Sequence, residues 1–367
     1  LDDPKVYELI SSGDTYGVFQ MESSGFQQMV KQMKPSCFGD IVAAVALYRP
    51  GPMEQIPSFI ARKHGEEPIH YPHDDLIRAL EDTYGLIVYQ EQVMQISRIM
   101  AGFSLGHADI LRRAMGKKKE EEMNRMRRVF IHGDDEMGVE GALKRGYSED
   151  LAVLVFDLMQ KFAKYGFNKS HAAGYAVLSF QTAYLKCYHR KAFMAALLTC
   201  DADNSDKVVK GINECRRAGI NILPPHVNDS LKAFTVIEEG IRFGLAAVKN
   251  VGMGSVEAII NSRKEEGCYK SLFGFFKRID LKAVNKRVVE SLIKAGAFDG
   301  LGGNRAQLLA MIDIAFDIGQ KEQHDKAIGQ RNLFDMMSGL GGAQVVEQDP
   351  DMPDIPELSL MERLNGE

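Results

Sequence analysis

Five positive charges and no acid fall within Leu111-Arg112-Arg113-Ala114-Met115-Gly116-Lys117-Lys118-Lys119. Adjacent arginines on a helix point about 100° apart, so Arg112 and Arg113 could hold different oxygens of one polyphosphate, and planar guanidinium groups suit bidentate contact. The same run also reads as a solvated helix end whose lysines meet Glu120, Glu121 and Glu122 three or four residues on. It is not a P-loop, because GxxxxGK[ST] would require glycine at Leu111 and Ser or Thr at Lys118.

A second cluster, Lys164-Tyr165-Gly166-Phe167-Asn168-Lys169-Ser170-His171, interleaves basic, aromatic and glycine residues just before Ala172-Ala173-Gly174-Tyr175. Lysine and histidine at a helix start can meet phosphate beside free backbone N–H groups, and an aromatic one turn on can stack a base. A histidine satisfied within a core reads equally well. Further on, Val248-Lys249-Asn250-Val251-Gly252-Met253-Gly254-Ser255-Val256-Glu257 has the apolar-Gly-apolar-Gly form of a helix-hairpin-helix. Its glycines would let the backbone approach a phosphate and form an anion nest with the following helix. A plain helix–helix turn is the alternative. A dinucleotide fingerprint fails, since GxGxxG from Gly252 needs glycine at Glu257. Lys294-Ala295-Gly296-Ala297-Phe298-Asp299 resembles a degenerate second copy. Gln330-Arg331-Asn332-Leu333-Phe334, beside an acidic stretch, has the form of a peptide ligand whose Leu333 and Phe334 fill a partner's pockets, or of a last helical turn packed on its own core.

Helical periodicity dominates the elements that must carry these groups. Leu151, Leu154, Val155, Leu158, Met159 and Phe162 form an amphipathic stripe from Leu151 to Tyr165. Asn204 and Ser205 offer N-caps for a helix stopped by Gly219, and another helix runs from Asn285 to Gly296. Phe234 to Ile237 and Ile241 to Phe243, flanking Glu238-Glu239-Gly240, read as a hairpin. The fold class is therefore mainly α: a helical domain followed by a helix-hairpin-helix domain with a small β-hairpin. Polar residues 201–206 and glycine-rich residues 338–342 suggest three divisions: 1–200, 201–329 and 330–367.

The 367 residues are 45% hydrophobic and 26% charged, a globular balance that excludes collagen-like, wholly disordered and disulfide-scaffold chains. No run approaches the roughly 18 apolar residues a bilayer requires, and no leader pattern opens the chain, so cytoplasm and no membrane are expected. The cysteines at 37, 187, 200, 215 and 268 lack CxxC spacing and read as free thiols. The net charge of −5 divides into −7 over residues 335–367 and +2 elsewhere. The start on Leu1 without methionine, and an end at Glu367 as a Leu/Met pattern resumes, suggest a piece cut from something longer.

Taken in order, several motifs resemble the alpha subunit of bacterial DNA polymerase III, a family C polymerase. They are Gly17-Val18-Phe19-Gln20-Met21-Glu22-Ser23, Ala46-Leu47-Tyr48-Arg49-Pro50-Gly51-Pro52, Thr83-Tyr84-Gly85 with Tyr89-Gln90-Glu91-Gln92-Val93-Met94, then residues 111–119 and 165–171, and Ile222-Leu223-Pro224-Pro225. The resemblance implies a DNA-directed DNA polymerase in which residues 1–200 are fingers. Arg112, Arg113 and Lys117 would contact a deoxynucleoside triphosphate, with His171 near the same phosphates and Tyr175 stacking at the nascent base pair. Lys169 and the hairpin residues Lys249, Val251, Gly252, Met253 and Gly254 would meet DNA, and Gln330, Leu333 and Phe334 the sliding clamp. Implied partners are primer-template DNA, the clamp and other holoenzyme subunits. Mg²⁺ would serve the parent enzyme, but its palm carboxylates lie upstream in the family, and Asp201-Ala202-Asp203 reads as a capped turn. No catalytic or metal-binding residue is therefore expected in this chain, which should not polymerise alone. A non-catalytic duplex-binding scaffold and the family's error-prone paralogue are the rival readings.

Overall fold

The structure is a computed structural model that describes residues 1–117, 120–163, 166–327 and 349–366. It forms two compact units, Leu1–His189 and Arg190–Glu367. The division falls at His189/Arg190 rather than near residue 200. Helix Arg190–Cys200 belongs with the second unit, where Thr199 Oγ1 accepts the Phe234 N–H at 3.2 Å.

The first unit contains helices α1 (Pro4–Ser11), α2 (Ser24–Met33), α3 (Phe38–Leu47), α4 (Ile56–Lys63), α5 (Ile77–Leu80), α6 (Gln90–Ala101), α7 (Leu105–Lys117), α8 (Glu120–His132), α9 (Glu149–Ala163) and α10 (Lys169–Tyr188). They pack around two cores. In one, α3 is buried on every side from Asp40 to Leu47, as the uniformly apolar run from Ile41 onward dictates. The small residues Ala172, Ala176 and Ala183 of α10 join that core, together with Phe59 and Tyr89. The other core collects Leu80, Val93, Ile96, Leu111, Phe130, Phe156 and Met159 from α5 to α9. The anticipated stripe on residues 151–165 is α9, with Ala152, Val155, Phe156 and Met159 inward and Leu154 and Leu158 exposed.

At the start of α3, Asp40 is 3% exposed and pairs with Lys63 Nζ at 2.9 Å. It also accepts the Ser36 N–H at 2.8 Å. Burial pushes the Asp40 carboxyl upward, but the Ser36 amide and the Lys63 ammonium outweigh it and hold the group below the ordinary aspartate range.

The second unit contains α11 (Arg190–Cys200), α12 (Ser205–Arg217), α13 (Met253–Glu266), α14 (Leu272–Arg278), α15 (Lys286–Lys294), α16 (Arg305–Ala310), α17 (Ile312–Ala327) and α18 (Leu360–Gly366). Asn204 and Asn285 cap α12 and α15 through their side chains, as their sequence suggests. Strands β2 (Thr235–Ile237) and β3 (Gly240–Arg242) form the expected antiparallel hairpin. A two-residue strand, β1 (Ile222–Leu223), pairs parallel with β3 and completes a sheet of order β1-β3-β2. Leu245, Val256, Ile259, Phe273, Phe275, Phe276, Val289, Leu292 and Phe298 form this unit's core.

Candidate nucleotide and nucleic-acid sites

In the first unit the site is assembled by the entry to α6. Buried Gln92 accepts the Val88 and Tyr89 N–H groups at 2.8 and 2.9 Å and donates to Thr83 Oγ1 at 2.7 Å, which fixes the helix start. Gln90 then uses its backbone and side chain together. Its N–H donates to Phe167 O at 2.9 Å, and its Nε2 donates to Gly166 O at 3.0 Å. Its Oε1 accepts Arg112 Nη1 at 3.3 Å. One neutral side chain thus joins the basic helix α7 to the residues that open α10. Gly166 is required there, because a Cβ would lie 2.9 Å from the Phe162 ring and 3.1 Å from Gln90 Cγ.

Arg112 and Arg113 share one carboxylate. Arg112 Nε meets Asp109 Oδ1 and Arg113 Nε meets Asp109 Oδ2, each at 2.8 Å. Hydrogen bonding from Arg112, reinforced by Arg113, keeps the Asp109 carboxyl below its ordinary range. Arg113 is 66% exposed, whereas Arg112 is about half as open. The bland reading of this run as a solvated helix end therefore describes Arg113 better than Arg112. Lys117 is the last residue of α7, and its side chain lies outside the described residues.

At the start of α10, Asn168 caps the helix by accepting the His171 N–H at 2.8 Å, and the Lys169 N–H donates to Glu91 Oε2 at 2.9 Å. Two of the backbone donors expected to greet phosphate, those of Lys169 and His171, are thus engaged within the chain. The Lys169 ammonium pairs with Asp82 at 3.1 Å and sits 5.3 Å above the Tyr89 ring. Four rings form a column along α10. Phe167 meets His171 edge-on at 5.3 Å, His171 lies on Tyr175 at 4.4 Å, and Tyr175 meets Phe19 at 5.3 Å. Phe19 is fixed in turn, since its carbonyl accepts Ser179 Oγ at 2.9 Å and its N–H donates to Thr182 Oγ1 at 3.1 Å. His171 is exposed rather than buried in a core, and Tyr175 is half-buried. Sequence reasoning named His171 and Tyr175 as candidates but not Gln90 or Asp109, whose contacts depend on tertiary neighbours.

Gly174, on the exposed face of α10, meets nothing within 4 Å of a built Cβ. Gly174→Ala should therefore stabilise the chain by about 0.5–1 kcal/mol, through the backbone entropy lost at a helical glycine. An unchanged or lower thermal midpoint would show that the glycine serves the fold in some other way.

The second unit carries the hairpin. The Val251 N–H donates to Val248 O at 3.1 Å, and Asn250 takes φ 67° between them. Val248 and Val251 are buried, so the Val251 side chain belongs to the core and is not available to DNA. Lys249 is exposed and Met253 is 43% exposed. Gly252 caps α13 with φ −76° and ψ 160°, without a side-chain cap, and a Cβ on Gly252 or Gly254 would meet nothing within 4 Å. Neither backbone strain nor packing calls for these glycines; what they provide is access to the uncapped first turn.

The suggested second copy is differently placed. At Gly296 a Cβ would lie 2.3 Å from Arg305 Nη2. Arg305 is nearly buried and pairs with Asp299 at 2.8 Å, so that glycine serves internal packing. The turn resembling the hairpin lies four residues later. There the Leu301 N–H donates to Phe298 O at 3.1 Å, and Gly300 has φ 85°.

Asp201 pairs with Lys207 at 2.8 Å, and its carbonyl accepts the Asn204 N–H in the turn before α12, an interhelical role. Among the described residues no cluster of His, Cys, Asp or Glu fits a metal ion, so no chemical step through a metal is derived. Nor, among them, is any helix long and apolar enough to cross a membrane. Gln330, Leu333 and Phe334 lie outside the described residues.

Residues 1–138 match the family model described as the bacterial DNA polymerase III alpha subunit finger domain, and residues 219–308 match a helix-hairpin-helix motif. The DNA polymerase III alpha subunit of Vibrio cholerae is 46% identical over 375 residues, an alignment covering 100% of this chain. Along its whole length the chain is similar to bacterial DNA polymerase III alpha subunits. The alpha subunits of Escherichia coli K12 and Borreliella burgdorferi are 46% and 44% identical, over 92% and 100% of the chain respectively. The chain spans 31%, 29% and 31% of the lengths of these three relatives.

Proposed function

We propose that the chain forms the fingers and duplex-gripping parts of a template-directed DNA polymerase. The observation that carries this reading is the linkage through Gln90 of the α7 arginines to the stacked His171–Tyr175 face of α10. Cations placed beside an aromatic face suit a nucleoside triphosphate, whose phosphates need neutralising and whose base needs a flat surface. Arg112, Arg113 and Lys117 neutralise the triphosphate, His171 lies near the same phosphates, and Tyr175 supports the nascent base pair. Residues 1–189 serve as fingers, 190–329 as the DNA-binding domain, and 330–367 as clamp-binding segment and acidic linker.

Lys169, Lys249, Gly252, Met253 and Gly254 meet primer-template DNA. The contacts are to phosphate and to base faces, which makes them indifferent to sequence. Gln330, Leu333 and Phe334 engage the sliding clamp, and other holoenzyme subunits complete the assembly in the cytoplasm. In the parent enzyme Mg²⁺ would supply Lewis-acid chemistry, with ligands from outside this chain, which does not polymerise alone.

The test is anisotropy of a labelled primer-template titrated with the intact subunit at several salt concentrations. Affinity should fall steeply with salt, and Gly254→Glu, which puts a negative side chain where phosphate approaches, should weaken binding at least tenfold while circular dichroism stays unchanged. Equal affinity in the folded variant would remove the hairpin from the DNA interface.

A further inference from the structure

Arg49 follows α3 at a sharp turn, where Gly51 takes φ 101°. Its guanidinium carbon lies 3.0 Å from the centroid of the Phe167 ring, whose edge contact with His171 begins the aromatic column. The Phe167 carbonyl is the group held by Gln90, which also receives Arg112. Arg49 thus lies in the same neighbourhood as the α7 arginines. Those two are paired with Asp109 and Lys169 with Asp82, whereas Arg49 has no carboxylate among the described residues. It is half-buried, and its burial, unopposed by any nearby anion, lowers the guanidinium's basicity. A cation removed from water without a counter-charge is costly, and a ring face offsets only part of that cost.

Resting on the reading above, we infer that Arg49 is a phosphate-binding residue, its missing counter-charge supplied by an oxyanion of the bound nucleotide or of the DNA backbone. The planar guanidinium lies on Phe167 as on a shelf, which leaves its N–H fork for two phosphate oxygens. Lysine at this position would keep the charge but lose both the stacking and the fork.

The experiment is primer extension by the intact subunit carrying Arg49→Ala or Arg49→Lys, with primer-template affinity measured across salt concentrations. A nucleotide KM at least tenfold higher in Arg49→Ala, with DNA affinity unchanged and partial recovery in Arg49→Lys, supports a triphosphate contact. A DNA affinity loss with a shallower salt slope and unchanged KM supports a phosphodiester contact, the same chemistry from the other source. If neither KM nor DNA affinity moves in a folded variant, the inference is overturned. Should the alanine variant not fold, Arg49→Lys is decisive: wild-type KM together with wild-type salt slope overturns the inference, and a change in either supports it. An unmodified subunit that extends no primer would instead sink the polymerase reading itself, so the two failures are separable.

Discussion

Replacing Arg112 and Arg113 together by alanine in the intact subunit should lower kcat/KM for nucleotide by more than a hundredfold, while each single replacement costs about tenfold, or about 1.4 kcal/mol. The excess in the double variant follows from Asp109. In either single variant one guanidinium still neutralises that carboxylate, but with both gone it faces the incoming polyphosphate uncompensated. Neighbouring groups that share a partner are not additive. Adding Asp109→Asn to the double variant should therefore restore part of the loss. A double variant no worse than either single, or unchanged nucleotide kinetics throughout, would remove α7 from the nucleotide site.

Lys63→Met should destabilise the chain by about 3 kcal/mol, because it strands a buried carboxylate whose partner contacts are short. Lys63 also donates to Ser36 Oγ at 2.8 Å, so the change disturbs the turn before α3. Urea unfolding should show a lower midpoint with an unchanged slope. The deficit carries a pH signature. In the parent chain Asp40 sits below its unfolded value near 3.8, so its contribution is present above that pH and lost as the pH falls through the depressed folded value. Without Lys63 the burial cost is less opposed and the carboxyl titrates higher, so the gap between variant and parent should narrow in acid. A gap independent of pH would mean that the loss is packing alone. Replacing both partners, with Lys63→Met and Asp40→Asn, should recover part of the stability, since the amide oxygen still accepts the Ser36 N–H and needs no counter-charge.

Local signals made much of the fold legible. The caps at Asn204 and Asn285, the stripe of α9 and the β2–β3 hairpin all depend on residues near one another in sequence. Strand β1 was not legible, because two residues carry no periodicity and its pairing with β3 depends on a partner far along the chain. Arg112, Arg113, His171 and Tyr175 stood out by type and spacing, but Gln90 is an unremarkable amide until folding brings Gly166, Phe167 and Arg112 around it. Val251 shows the converse. It lies in the middle of a recognisable hairpin, yet its aliphatic side chain turns inward with Val248, while Lys249 and Met253 beside it face out.

The place of Gln90 has a mechanical consequence. Helix α7, which carries the arginines, packs through Ala108, Leu111 and Ala114 into one of the first unit's two cores, and Phe167 and Tyr175 of the aromatic column pack against the other, so the site straddles a seam. Each side is stiff in its own packing, whereas the seam is bridged here by directional bonds, those of Gln90 together with those from Lys169 to Glu91 and Asp82. Such a joint can flex without repacking either core. A small rotation across it would change the gap between cation and ring while leaving both bodies intact, so a shape change on nucleotide capture requires little rearrangement.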